Sequence, residues 1–472
     1  MNHNIPQKSR LPISTKSYSL VEIFIAYLIA ILILIPTTQP AYSALEDIPQ
    51  GLISHSGNRQ PIPQKILDNP YVTGFLILDG WQNLEPQEGV YDWSHIDSEL
   101  ARAQAHGKIV RLALHIGGDD APAWIMQNYP EIKQIAFTKN DVQKWVPAYW
   151  DPTYINLKVR FYQSLGARYK NHPAIFALPV SMADPNTGDW SFRISDELEE
   201  QSHRDAGFSE QTFIDAYKKL IDAAMNAYGN KLAETAVGPL PRQLVSDQYH
   251  AVHTVLDYAH ANYPERLIAA KGALNANTPQ PGIATNLGLW QTIYDYRPLV
   301  AAQFVWSVSR DPEYKMNGRV PYSEAEASNV LKQAFEVGKS YDLQWIEPWK
   351  DDLLNPDLES TMIYGADLLT TPTIPDDITA TDVTDNQITL NWQASYDIVG
   401  VIGYNVYRNG SLIGNVSEAT YTDTGLTAKT NYSYEIEAYD NLGNVSAKSE
   451  VLNVIRSIPL PPTNLKILQI RQ

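Results

Sequence analysis

Carboxylates at the ends of apolar runs, with tryptophans beside them, are the residues of this chain best placed to do chemistry. Trp345-Ile346-Glu347-Pro348-Trp349 closes an apolar run with one carboxylate held between indoles, and Asp351 and Asp352 follow. Asp184 and Asp189 come shortly after another apolar run, 174–181. A carboxyl that keeps its proton and a second that has lost it can divide acid and base work between them. Flat aromatic rings suit the apolar faces of sugars, and 11 Trp and 28 Tyr are many for 472 residues. Most of these rings are expected in the core. Trp81, Trp124, Trp306 and Trp349 stand at or just beyond strand ends and are the candidate platforms for a ligand, with His115 beside them.

Such residues need a scaffold that brings distant strand ends together. Between 49 and 370 the chain reads as eight strand-then-helix alternations. The candidate strands are 51–54, 72–78, 108–116, 174–181, 232–238, 266–273, 299–308 and 343–348. Helix-like runs lie at 94–106, 154–169, 210–228, 246–261, 283–294 and 324–338, and 131–150 reads as an insertion. Short apolar strands alternating with helices imply a parallel sheet covered on both faces. Eight units predict a (β/α)8 TIM barrel, whose working residues sit at the C-terminal strand ends. A doubly wound open sheet is the alternative. No Gly-rich fingerprint opens a helix after an early strand, so dinucleotide binding has no support; neither a P-loop nor the G-x-S-x-G of serine nucleophiles is present.

The stretch Trp81-Gln82-Asn83-Leu84-Glu85-Pro86-Gln87-Glu88-Gly89-Val90-Tyr91-Asp92-Trp93 follows the second strand and leads into a helix. Ser94 is its expected N-cap, Asp97 lies in the first turn, and Gly107 is the expected stop. The pattern W-x-x-L-E-P-x-x-G-x-Y-D-W resembles the early βα loop of (β/α)8-barrel glycoside hydrolases of the β-galactosidase-like branch, and Pro122-Ala123-Trp124 resembles their P-x-W. The resemblance implies that this loop walls a sugar cleft. It also implies hydrolysis of O-glycosidic bonds by paired carboxyls. Within it Glu347 takes the place of a late-strand nucleophile or base. Gly188-Asp189-Trp190 sits where some relatives carry Gly-Glu-Trp, which makes Asp189 the expected general acid and Asp184 the second choice.

Two departures accompany the resemblance. The largest clan of such barrels places Asn-Glu at the end of strand four, whereas 174–190 contains no Glu. That clan also carries its nucleophile on strand seven, whereas Glu347 ends the eighth candidate strand. Either 51–54 is not a barrel strand, or the family differs, or the site is degenerate. A non-catalytic carbohydrate-binding or cell-surface protein on a degenerate barrel is therefore the second reading, and a lyase or transglycosylase the third.

After a linker at 371–376, residues 377–455 alternate in the manner of short strands separated by turn residues such as Asn409-Gly410. This segment resembles a fibronectin type III domain. Trp392 matches its core tryptophan, and Leu426, Thr430, Tyr432 and Tyr434 match the signature around the tyrosine corner. Residues 456–472 read as the start of a further module or a tail.

The formal net charge of −17 argues against nucleic acid as a partner; an oligo- or polysaccharide substrate is expected. No cofactor and no metal are expected: there is no cysteine, and His250 and His253 read as surface residues of an outer helix. Residues 1–43 carry basic residues, 13 apolar residues from Ile23 to Ile35, and Ala41-Tyr42-Ser43-Ala44. That is the pattern of a secretory signal peptide, and the apolar core is short of the roughly 20 residues of a membrane span. Membrane attachment by an uncleaved anchor is the alternative; either places the bulk of the protein outside the cytoplasm.

Overall fold

The computed structural model describes residues 48–139, 141–181, 194–311 and 313–454. Asp184, Asp189, the N-terminal apolar segment and the run after 454 lie outside the described residues.

Eight strands form the scaffold: β1 (Gly51–Ser54), β2 (Gly74–Gly80), β3 (Ile109–His115), β4 (Ile175–Pro179), β5 (Leu232–Ala236), β6 (Leu267–Leu274), β7 (Val300–Phe304) and β8 (Trp345–Glu347). They close into a barrel in the order β1-β8-β7-β6-β5-β4-β3-β2, all pairs parallel. An open doubly wound sheet is thereby excluded. β1 pairs with both β8 and β2, through Gly51 opposite Trp345 and Ile53 opposite Gly74. It is a true barrel strand, so Glu347 does end strand eight.

The pleat sorts side chains between two cores. On β3, Val110, Leu112 and Leu114 face outward into the large core under the helices, while Arg111, Ala113 and His115 face the lumen. Ile53, Phe176, Leu232, Ile268 and Trp345 plug the lower lumen, with Phe176 and Trp345 edge to face at 5.3 Å. Two residues further along the same faces come Arg111, Glu234 and Glu347. The site's charged layer thus rests directly on an apolar plug.

The covering helices begin and end where local chemistry requires. α1 (Ser94–Ala105) starts one residue earlier than expected: Trp93 occupies the N-cap position and Asp92 Oδ1 accepts from the Ser94 N–H at 3.0 Å. It stops before Gly107, whose φ of +64° suits glycine. α2 (Pro152–Tyr169) is capped by Asp151, which accepts from the N–H groups of Thr153 and Tyr154, with Pro152 at the first position. α3 (Glu210–Ala227) opens with a Ser209–Thr212 capping box, and α5 (Glu324–Ser340) with a Ser323–Glu326 box. Between them lies α4 (His250–Asn262). Where helix was expected at 283–294, only Trp290–Asp295 is α-helical; Gly288, at φ +56°, ends the irregular approach. The expected insertion contains an antiparallel hairpin, Gln134–Lys139 with Val142–Pro147.

α6 (Glu359–Leu369) completes the barrel and leads into a sandwich. Its sheets are β9 (Asp376–Thr381), β10 (Gln387–Gln393) and β13 (Thr420–Thr424) on one side, and β12 (Ser411–Val416), β11 (Gly403–Arg408), β14 (Tyr432–Tyr439) and β15 (Leu452–Val454) on the other. Trp392 packs edge to face on Tyr404 at 5.2 Å in its core, and Tyr432 Oη accepts from the Thr427 N–H at 3.0 Å, as a tyrosine corner requires. The sandwich touches the barrel: Lys339 Nζ of α5 donates to Asn444 Oδ1 at 3.0 Å, and Asn444 Nδ2 donates to the Asp367 carbonyl of α6 at 2.9 Å.

Candidate active site

A cavity of about 970 Å³ opens at the C-terminal ends of the barrel strands. Its floor is a three-residue charge cluster. Arg111 Nε donates to Glu234 Oε2 at 2.8 Å, and Arg111 Nη1 donates to Glu347 Oε1 at 2.8 Å and Oε2 at 3.1 Å. From below, the indole N–H of Trp345 in the apolar plug donates to Glu347 Oε1 at 3.0 Å. Both carboxylates are 3% exposed. Glu234 Oε1 has no donor among the described residues.

One guanidinium cannot neutralise two buried anions, so one carboxyl is driven toward its protonated form. That group is Glu347. Burial pushes its carboxyl from the ordinary 4.5 up to about 7, against the pull of Arg111 and with the help of the Glu234 charge. It can therefore hold a proton near neutrality and release it on demand.

Aromatic rings build one wall. Trp349 lies 4.2 Å from the His55 ring and 5.4 Å from Trp306 between centroids, and Lys315 Nζ stands 4.6 Å over the Trp306 ring. Trp306 lines the cavity and is 36% exposed, and its N–H is tied to the Arg310 carbonyl at 2.7 Å. Burial first, and then Arg111, pushes the His55 imidazole down to about 3, so it is neutral at working pH. His115 also lines the cavity and is oriented by Asp120 Oδ2 at 3.2 Å. Lys271 and Arg319 also line the cavity.

Of the candidates drawn from the sequence, Glu347, His115, Trp306 and Trp349 meet at this cavity. Trp81 and Trp124 do not. They are 0% and 6% exposed, and a buried indole has no face to offer a sugar. Trp81 Nε1 instead donates to Glu85 Oε2 at 2.7 Å, Glu85 Oε1 accepts from the Gly89 N–H at 2.8 Å, and Trp124 Nε1 donates to the Glu85 carbonyl at 2.8 Å. The W-x-x-L-E-P-x-x-G motif is a buried staple that shapes the loop from within. Asp351 pairs with Arg310 at 2.9 Å, and Asp352 accepts from Ser307 Oγ and from the N–H groups of Val308 and Ser309. Both are structural acids.

Sequence reasoning passed over Arg111 and Glu234. The signal was there: each is a charge in the middle of an apolar strand, and a charge so placed must find a partner. His250 and His253 bond to Glu210 and Thr292 on the outer helices, away from the cavity. Among the described residues the group that could hold a metal ion, Asp367, Asp397 and Asp440, lies at the junction with the sandwich.

Comparison with known proteins matches both segments. Residues 76–230 match the glycoside hydrolase family described as beta-galactosidase, and residues 372–455 match the fibronectin type III domain. The first match includes Arg111 and ends before Glu234 and Glu347. Chitinase Chi52 of Paenibacillus xylanexedens is 46% identical over 86 residues, 18% of this chain and 16% of that protein. Exoglucanase B of Cellulomonas fimi is 46% identical over 92 residues, 19% of this chain and 8% of that protein. These matches fall in the fibronectin type III segment, so the chain spans under a fifth of the length of these relatives. A cold-adapted beta-galactosidase from Rahnella sp. R3 covers 64% of this chain and 50% of its own at 15% identity, with a TM-score of 0.38.

Proposed function

We propose that the barrel is a glycoside hydrolase that cleaves a β-linked glycoside or polysaccharide, exported through its N-terminal segment and carrying the fibronectin type III domain as a spacer. The observation that carries this reading is the pair of buried carboxyls, Glu234 and Glu347, bridged by Arg111 at the floor of a cavity large enough for sugars and walled by Trp306 and Trp349. The family match over residues 76–230 supports it.

In this mechanism Glu347, poised near neutrality, donates its proton to the leaving-group oxygen as the glycosidic bond breaks. Glu234, held by Arg111, is the second carboxyl of the pair: it stabilises the developing positive charge, and its Oε1 attacks the anomeric carbon or takes a proton from the attacking water. In the other assignment of roles, Glu347 ionises as nucleophile and Asp189, or Asp184, which follow β4 in the sequence, supplies the proton. The two assignments differ in pH profile. With Glu347 as acid, turnover falls as pH rises through about 7; with Glu347 as nucleophile, it falls as pH drops through the same value.

The test is reducing-sugar release from a panel of neutral and uronic-acid glycans and aryl glycosides, with Glu347→Gln, Glu234→Gln and Asp189→Asn beside the wild type. Release by wild type with loss in Glu347→Gln supports the reading, and undiminished release by Glu347→Gln removes Glu347 from the chemistry.

A non-catalytic sugar-binding barrel is the second reading. It is favoured by the clamp of Arg111 on both carboxyls, and by the ends of β4 (Pro179, then Val180 and Ser181) and β7 (Gln303, Phe304), where no described residue is an acid. It predicts saturable glycan binding without release from any member of the panel. Among the described residues no helix is long and apolar enough to cross a membrane. Export and attachment therefore rest on the pattern of residues 1–43.

A further inference from the structure

Three carboxylates from separate elements converge where the barrel meets the sandwich. Asp367 comes from the last turn of α6, Asp397 from the loop after β10, and Asp440 follows β14. One oxygen from each lies within 4.8 Å of the other two, and all three residues are buried. Calcium binds oxygen ligands at about 2.3–2.6 Å, so oxygens on opposite sides of one ion stand up to about 5 Å apart. The cluster has the dimensions of a single-ion site.

A second observation points to a ligand. Asp367 Oδ1 and Asp397 Oδ2 have no donor among the described residues, though these residues are only 1% and 7% exposed. Asp397 Oδ1 and both oxygens of Asp440 are engaged in holding the loops. Asp397 Oδ1 accepts from the N–H groups of Val399 and Gly400 at 3.0 and 3.1 Å. Asp440 Oδ1 accepts from Leu442 and Asn444 N–H at 2.8 and 2.9 Å, and its Oδ2 from Asn444 Nδ2 at 2.7 Å. The backbone thus fixes the Asp397 and Asp440 loops, while two buried carboxylate oxygens of the cluster are left without a donor among the described residues. Lys339 Nζ approaches this cluster but donates to Asn444 Oδ1. A single ammonium leaves a formal excess of negative charge among three buried acids, a strongly unfavourable arrangement unless a cation or a proton joins them.

We propose that Asp367, Asp397 and Asp440 bind one calcium ion that fastens the fibronectin type III domain to the barrel. The donor set is all oxygen and anionic, which suits a hard divalent cation and not a thiophilic or imidazole-seeking metal. Irregular loops supply two of the three ligands, which suits the flexible coordination of Ca²⁺ better than the strict octahedron of Mg²⁺. The site is independent of the sugar chemistry: it would staple the two domains whether or not the barrel turns over a glycan.

The experiment uses the full chain, stripped with EDTA and dialysed, at mildly alkaline pH. Calorimetric titration with CaCl2 should show one ion per chain, and scanning calorimetry should show a midpoint raised by several degrees in millimolar Ca²⁺. Asp397→Asn keeps the Oδ1 acceptor for Val399 and Gly400 and should lose both effects, as should Asp440→Asn. The proposal is overturned if the stripped wild type takes up no Ca²⁺, or if both variants bind it as the wild type does. It is equally overturned if Asp397→Asn raises the midpoint while Ca²⁺ leaves the wild type unmoved, since the acids would then be sharing a proton.

Discussion

Arg111 and Glu347 stand 236 residues apart in the chain, yet Arg111 Nη1 lies 2.8 Å from Glu347 Oε1, and the same guanidinium holds Glu234. The geometry makes Arg111 the counter-charge of the whole floor. Removing it by Arg111→Met should leave two buried carboxyls without a cation and cost about 3–5 kcal/mol in stability. Urea unfolding would measure this, and part of the loss should be recovered at acid pH as the carboxyls protonate.

Glu347→Gln mimics the protonated carboxyl, so the fold should tolerate it. If the group performs acid/base work, turnover should fall by about 10²–10⁴-fold, with the thermal midpoint close to that of the wild type. A large drop in the midpoint together with activity would instead mark Glu347 as a structural carboxylate.

The same variant makes a prediction about pH and stability. The folded-state value of Glu347, about 7, lies above its ordinary 4.5, so the folded state binds the proton more tightly. Its stabilising contribution is complete below about 4.5 and is lost as pH rises through about 7. The Asp367 carboxyl is also pushed up to about 7, by burial and by Asp397 and Asp440, so wild type alone would mix the two effects. The difference between wild type and Glu347→Gln isolates one of them. The variant should gain relative stability between those pH values, and a flat difference across the window would refute the shifted carboxyl.

The tryptophans divide into two kinds. Trp349→Ala opens the wall beside His55 and Trp306 and should weaken glycan binding by about 0.5–1.5 kcal/mol, the scale of one specific aromatic contact, with little change in the unfolding midpoint. Trp81→Ala empties a fully buried position and should cost about 3–5 kcal/mol in stability, with binding intact in whatever fraction stays folded. Isothermal titration beside denaturant unfolding separates them. If Trp81→Ala weakened binding while leaving stability unchanged, the buried-staple account of the 81–93 loop would be wrong.

Glu85 offers a finer version of that test. Its carboxylate joins the Trp81 N–H to the Gly89 N–H from a fully buried position. Glu85→Ala leaves both donors without a partner and should cost about 1–3 kcal/mol for each, measured by unfolding.

Sequence alone determined the architecture, because its signals are local and repeated. The barrel strands are short, mostly apolar runs, and the helices between them carry their own caps, such as Asp151, Ser209 and Ser323. In the sandwich, Trp392, Tyr432 and Asn409-Gly410 fill positions that only one kind of fold places together. The end of strand eight marked Glu347 by the same local logic.

What only the tertiary structure decided is which of those residues share a site. Arg111 and Glu234 are unremarked charges in their own strands and become a cluster with Glu347 only when the barrel closes and the pleat turns all three inward. Trp81 and Trp124 follow strands as platforms do, but the loop folds back over them, and burial cannot be read from spacing. Asp367, Asp397 and Asp440 converge only because one domain docks on the other. Backbone propensity and pleat period act over a few residues and are written in the chain; charge pairing and desolvation depend on distances through space, which closure and docking alone set.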